Sequence, residues 1–166
     1  MAQRYYGAKD LATIEKFNRE LLGEPNIDDC GIIDQYVILY RTSVYETETN
    51  MYGETTDGKV FKPGVEIACL VEAEDMAFNT DEFGPDLRQN ATFSFVRQSL
   101  RDVSLVLEVG DIVEWFTAYW EINNVNENQL VGGQYKQLDG QHIHSVICSA
   151  NLLRRSNLNI EEVRSI

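Results

Sequence analysis

Histidine, cysteine, proline and positive charge are all scarce in this 166-residue sequence, and the shortages narrow the classes of function. The three cysteines, Cys30, Cys69 and Cys148, are odd in number, far apart and outside any Cys-x-x-Cys spacing. That leaves a disulfide framework or a zinc ribbon without support and makes buried thiols the expectation. Lys and Arg total 14 against 27 Asp and Glu, a formal net charge of -13 with a sequence pI near 4.5. A surface of that sign repels phosphate backbones and argues against affinity for DNA or RNA. No apolar run approaches the roughly 20 residues of a membrane span. Met1 to Tyr6 carries no hydrophobic leader, so the expectation is a soluble chain made in the cytoplasm, with no membrane partner. Also missing are a Gly-x-Ser-x-Gly elbow, a Gly-x-x-x-x-Gly-Lys loop, a calcium-loop spacing, internal repeats and low-complexity tracts.

What is present reads as one globular domain: 43% apolar and 25% charged residues are a folding composition, in a chain long enough for one core and too short for two. Asp10 is the predicted N-cap of a helix over about 10–23, with Leu11, Ile14, Phe17, Leu21 and Leu22 on one face and Gly23 and Pro25 as the stop. A strand is predicted from Asp34 to Ser43, with Tyr36, Ile38 and Tyr40 on one side and Val37, Leu39 and Arg41 on the other. Residues 44–59 are a polar excursion ending in a tight turn at Asp57-Gly58. Val65 to Glu72 alternates as a second strand, and Pro63 suits its start, where no ladder hydrogen bond is lost. An acidic loop around Asn79 to Pro85 follows, then a strand at Ala91 to Val96 with Phe93 and Phe95 on one side. Arg101 to Leu107 is a short helical or irregular link. Gly110-Asp111 turns into a strand at Ile112 to Phe116, and Thr117-Ala118 reverses it into Tyr119 to Val125. Asn126 to Asp139 is predicted as a loop and Ile143 to Leu152 as the closing strand. The expected fold is mainly β, a small barrel or sandwich with an N-terminal helix, long loops, a β core over about 32–152 and a C-terminal tail over 153–166.

Charge is unevenly spread. Residues 44–87 hold 11 acids and two bases, a net of -9 out of -13. The plain reading is a solvated face; the sharper one is a negative surface that nucleic acid slides past or that meets a basic partner. Asp75, Asp81, Glu82 and Asp86 could gather a cation only if their loop folded around it. His142 and His144 stand two apart on a predicted strand and could share one face with Cys148, yet a tetrahedral site wants ligands from more than one element, which favours a structural role. Trp115, Phe116, Tyr119 and Trp120 could form a stacking platform, but Phe116 and Trp120 flank a tight reversal, where large rings pack across the hairpin, and an acidic chain binds single strands poorly. No catalytic, cofactor or metal residue is assigned.

Several stretches taken in order resemble the neck protein family of T4-like tailed phages. They are Ile33, Asp34, Gln35, Val37 and Tyr40; Tyr52, Gly53 and Glu54; Lys59, Phe61, Pro63, Val65, Glu66 and Ile67; Phe93 and Phe95; and Gly110 to Glu114 leading to Trp120, Glu121, Ile122 and Val125. The likeness covers residues 32–151. It implies a non-enzymatic virion protein with a β-barrel core, assembled as a homohexameric ring between head and tail. That ring would sit below the portal and its adaptor, act as gatekeeper for packaged DNA in head completion, and offer a platform to the tail terminator. On that basis the assembly or channel-facing residues are Glu46, Glu48, Tyr52, Gly53, Glu54, Asp57, Lys59, Lys62, Glu72, Glu74, Asp75, Asp81 and Glu82. The alternatives are a tail terminator or other tail-completion ring and, from another class, a metal-dependent hydrolase built on His142 and His144.

Overall fold

Alternating apolar residues give each strand one face to bury, and six such faces can bury one another only by closing. The computed structural model describes residues 8–23, 31–33, 35–43, 46–47, 59–81, 84–130 and 143–153. In chain order the elements are α1 (Ala8–Leu22), β1 (Tyr36–Tyr40), β2 (Val65–Ala73), β3 (Ala77–Asp81), β4 (Gly84–Arg88), β5 (Asn90–Val96), α2 (Arg97–Asp102), β6 (Ile112–Trp115), β7 (Ala118–Leu130) and β8 (Ile143–Leu153). Six strands close in the order β1-β2-β5-β8-β7-β6, and β3 pairs with β4 in a separate two-stranded sheet. Every neighbouring pair of barrel strands is antiparallel. The protein is a small closed barrel with an N-terminal helix.

Its interior is filled. Val37 and Leu39, Phe93 and Phe95, and Trp120 and Ile122 are buried in one cluster, which Leu100 and Leu107, from the connection between β5 and β6, join. Phe93 and Trp120 meet edge to face, with centroids 6.1 Å apart and rings inclined at 69°. A barrel of this size has room for side chains and no lumen. The expected buried thiols are here too: Cys69 and Cys148 are free and buried, and desolvation pushes both up to about 12, which keeps them protonated and unreactive. Cys30 lies outside the described residues.

The outer wall is covered in two places. Leu22, at the end of α1, packs on Ala68 and Val96 of β2 and β5. The helix terminates through Gly23, at φ +81°, while Ile32 and Ile33 donate their N–H groups to the carbonyls of Glu20 and Leu21. Ile112 and Tyr119 pack with Tyr40, Phe61 and Leu153. Nearby the Tyr40 hydroxyl donates to Glu114 Oε2 over 2.8 Å, holding a buried carboxylate against the wall. Gly64 makes that packing possible, because a Cβ there would stand 2.5 Å from Ile38 Cγ2 and 2.8 Å from Tyr40 Cε1. Gly64→Ala is therefore expected to cost about 1–3 kcal/mol by displacing Tyr40 from Glu114. Urea denaturation checks this, and unchanged stability would show that the ring shifts freely.

Several boundaries differ from the sequence reading, for local reasons. The helix starts at Ala8, which places Asp10 in its first turn instead of at the N-cap. The expected acidic loop at Asn79 to Pro85 is the β3–β4 hairpin, paired from Ala77 with Arg88 to Asp81 with Gly84, and Pro85 is tolerated because a two-stranded sheet has only edge strands. The expected link at Arg101 to Leu107 starts earlier, as α2 begins at Arg97 straight after β5. Ser104 closes α2 at φ +54°, with Leu105 N–H on the Leu100 carbonyl and Ser104 N–H on that of Arg101. The reversal after β6 consists of Phe116 and Thr117, one residue earlier than expected, since Trp115 pairs with Ala118. Asn126 to Leu130, expected as loop, continues β7, and the run Asn126, Glu127, Asn128 and Gln129 gives it no apolar alternation to read. The excursion at 44–59 lies mostly outside the described residues, as do most of the 126–139 loop, His142 and the 154–166 tail.

Candidate functional site

The candidate residues are placed by β2. Its first residue, Val65, follows Lys59 and Lys62, and its last, Ala73, precedes Glu74 and Asp75. Nine extended residues rise about 3.3 Å each, so the two groups lie at opposite ends of the barrel wall. Among the described residues, those of the 44–87 segment divide between the two ends of the wall and do not form one acidic surface. Glu46, Lys59 and Lys62 lie exposed at one end, and Glu72, Glu74 and Asp75 lie exposed at the other. Asp81 ends β3 on the same side as the second group. Glu48, Tyr52, Gly53, Glu54, Asp57 and Glu82 lie outside the described residues.

At the Lys59 end, a braced corner fixes the geometry. Backbone contacts Ser43 N–H to the Val60 carbonyl and Lys62 N–H to that of Arg41 prolong the β1–β2 ladder. Asp111, itself buried, accepts from Thr42 N–H on Oδ1 at 3.1 Å and from Glu108 N–H on Oδ2 at 2.9 Å, tying β1 to the turn before β6. Burial pushes its carboxyl above the ordinary range, and the two backbone N–H groups offset that only in part. Thr42 Oγ1 donates to the Gly110 carbonyl at 3.1 Å, and Gly110 takes φ +96°, a backbone angle glycine adopts at no steric cost. Around this corner Lys59 Nζ meets Glu121 Oε1 at 2.9 Å and Arg41 Nη2 meets Glu108 Oε1 at 3.1 Å. Both pairs are substantially exposed and define position more than they add stability. Lys59, grouped in the sequence reading with channel-facing acids, is here an ion-pair partner of the barrel.

At the other end Glu74 is held at the barrel rim. Its N–H donates to the Asn90 carbonyl at 2.9 Å, its Oε2 accepts from Asn90 Nδ2 at 3.0 Å, and its carbonyl accepts from Gln89 Nε2 at 2.9 Å. Glu72 and Asp75 flank it in solvent. The rim thus displays three carboxylates on rigid backbone, next to the base of the β3–β4 hairpin.

No protein-family model matches this chain, and no curated protein matches it significantly. Among the described residues no group of three or more His, Cys, Asp or Glu could hold a metal ion, and no helix is long and apolar enough to cross a membrane. His144 is buried in β8 on the same alternation as Val146 and Cys148, a position in the wall of the barrel. The aromatic group divides: Tyr119 and Trp120 are buried, Trp115 is half-buried and Phe116 is exposed. Periodicity could not have found that Phe116 is the turn itself, since the residue before a β reversal and the residue in it differ by one position.

Proposed function

We propose that this chain is a structural protein of a tailed-phage virion, a neck protein that forms a ring below the portal and its adaptor, closes the DNA-filled head and carries the tail terminator. The observation that carries this reading is a solid, closed barrel with carboxylates fixed on rigid backbone at its rim. A filled barrel cannot itself conduct DNA, so a duct would have to be the axis of an assembly of barrels. Carboxylates facing such an axis would keep DNA from adhering to the wall as it passes. The two ends of the barrel, far apart and differently built, suit contacts with two different neighbours, an adaptor above and a terminator below. The ring is hexameric in this reading. The order of resembling stretches from Ile33 to Val125 points the same way.

Imaging of particles that contain the chain tests the proposal: a ring of density at the head–tail junction, occupied by this barrel, is expected. A monomeric cytoplasmic protein missing from particles would overturn it. A gel shift tests the role of the rim carboxylates separately. Wild-type protein is expected to leave duplex DNA unshifted in a gel at physiological salt. Reversing Glu72, Glu74 and Asp75 together to Lys is expected to bring nonspecific binding into the range of about 10⁻⁴–10⁻⁶ M, weakening steeply with added salt. Unchanged behaviour of the triple variant would remove these carboxylates from any channel role.

A further inference from the structure

Two exposed apolar features are used neither by the core nor by the charged residues at the two ends. The first is Phe116, the first of two turn residues between β6 and β7, 81% exposed with φ +54°. Glycine, asparagine or aspartate ordinarily takes that backbone position, and a bulky residue there is strained. Its ring is nevertheless held in place, with its centroid 4.9 Å from that of half-buried Trp115, which in turn lies 6.2 Å from buried Trp120. The second is a patch on α1: Phe17 and Leu21 are 64% and 41% exposed, Ile14 is half-buried beside them, and Ile32, 82% exposed, is hydrogen-bonded back onto the last turn of the helix.

We infer that Phe116 is an anchor that seats on the Phe17–Leu21–Ile32 patch of a second copy of this chain. Three observations select that occupant. The helix is charge-balanced, with Lys9, Lys16 and Arg19 against Asp10, Glu15 and Glu20, in a chain of net charge -13, so its face is one that another acidic copy approaches without strong repulsion. The same negative charge opposes an anionic membrane as the occupant. Position matters most. In the closed order β1-β2-β5-β8-β7-β6 the helix end packs over β2 and β5, whereas the Phe116 turn joins β6 and β7, across the barrel. A knob on one side and its receptor on the other make a heterologous contact, which repeats from subunit to subunit and closes into a ring if the rotation allows. A rigid exposed aromatic in a pre-set orientation loses little entropy on docking, as expected of an interface hot spot. The inference names the touching faces of the proposed neck ring and in that respect rests on that reading.

Sedimentation velocity on a dilution series tests it with three proteins: wild type, Phe116→Gly, and Phe17→Ser combined with Leu21→Ser. Glycine relieves the turn, so Phe116→Gly should melt no lower than wild type, which separates loss of contact from loss of fold. Each variant alone should associate at least about 10-fold more weakly than wild type, equivalent to about 1.4 kcal/mol. Mixed together, one supplies an intact patch and the other an intact Phe116, so a heterodimer should form and stop at two copies. A wild-type chain that stays monomeric throughout, an assembly unaffected by Phe116→Gly, or a mixture that yields no heterodimer would overturn the contact. A ring seen in particles that persists with Phe116→Gly would overturn the contact alone and leave the neck reading standing.

Discussion

Trp120→Ala is expected to lower the unfolding free energy by about 3–5 kcal/mol, a large fraction of the stability of a domain this size. Trp120 is almost fully buried and ties its hairpin to a strand distant in sequence: its ring meets Phe93 of β5 at 6.1 Å as well as Trp115 of the neighbouring β6 at 6.2 Å. Truncation leaves a cavity in the middle of a filled barrel, where six hydrogen-bonded strands cannot collapse inward to fill it. Trp120→Phe should cost much less, because it keeps an aromatic ring against Phe93 and removes an indole N–H that finds no acceptor among the described residues. Urea denaturation of both variants measures the difference. Equal losses would mean that the N–H matters as much as the ring, and a loss below about 1 kcal/mol for Trp120→Ala would show that the core is not centred there.

Asp111→Ala is expected to cost about 2–4 kcal/mol, because it removes the acceptor of two backbone N–H groups, those of Thr42 and Glu108, and so unpins β1 from the turn before β6. Asp111→Asn should fall between wild type and Ala, since an amide keeps one acceptor but turns a donor toward the other N–H. The two side chains also differ in pH dependence. Burial raises the carboxyl of Asp111 above its ordinary value of 3.8, so the folded state holds this proton more tightly than the unfolded chain does. That favourable contribution is fully present below 3.8 and is lost as pH rises through the raised folded value. The stability of wild type relative to Asp111→Asn should therefore decline as pH increases across that window and level off above it. Parallel urea titrations at successive pH values check the slope, and a relative stability that rises with pH would contradict the assignment of burial as the dominant cause.

The strands were legible in the sequence wherever one side of the chain is apolar. Val37 and Leu39, Phe93 and Phe95, and the β8 series of Val146, Cys148 and Ala150 all alternate with period two, and each lies in a strand facing the core. The Gly110-Asp111 corner was equally legible, since a glycine followed by an acid in front of an alternating run has few other uses. Less was visible where a strand has no regular apolar alternation. The β3–β4 hairpin and the Asn126 to Leu130 extension have no alternating apolar row in their sequence to set a period, so they resemble loops until their backbone partners are known. For the candidate site, the residue types were legible and their grouping was not. Glu46 and Glu74 belong to one charge-rich segment of the sequence but to opposite ends of the barrel, because a nine-residue strand runs between them.

The mainly-β class, the positions of most strands, the expectation of buried thiols at Cys69 and Cys148 and the net negative charge were all present in the sequence. These follow from local alternation, from composition and from the scarcity of bases, none of which requires knowing what pairs with what. Tertiary structure was needed to see that the sheet closes without a lumen, that Lys59 and Lys62 lie at the opposite end from Glu72, Glu74 and Asp75, and that Phe116 and the Phe17–Leu21 patch stay in solvent across the barrel from each other. Those properties depend on pairings such as Tyr40 with Ile112 and Phe93 with Cys148, between residues dozens of positions apart. Periodicity states which face a residue takes on its own strand, whereas closure and register decide which of those faces find a neighbour.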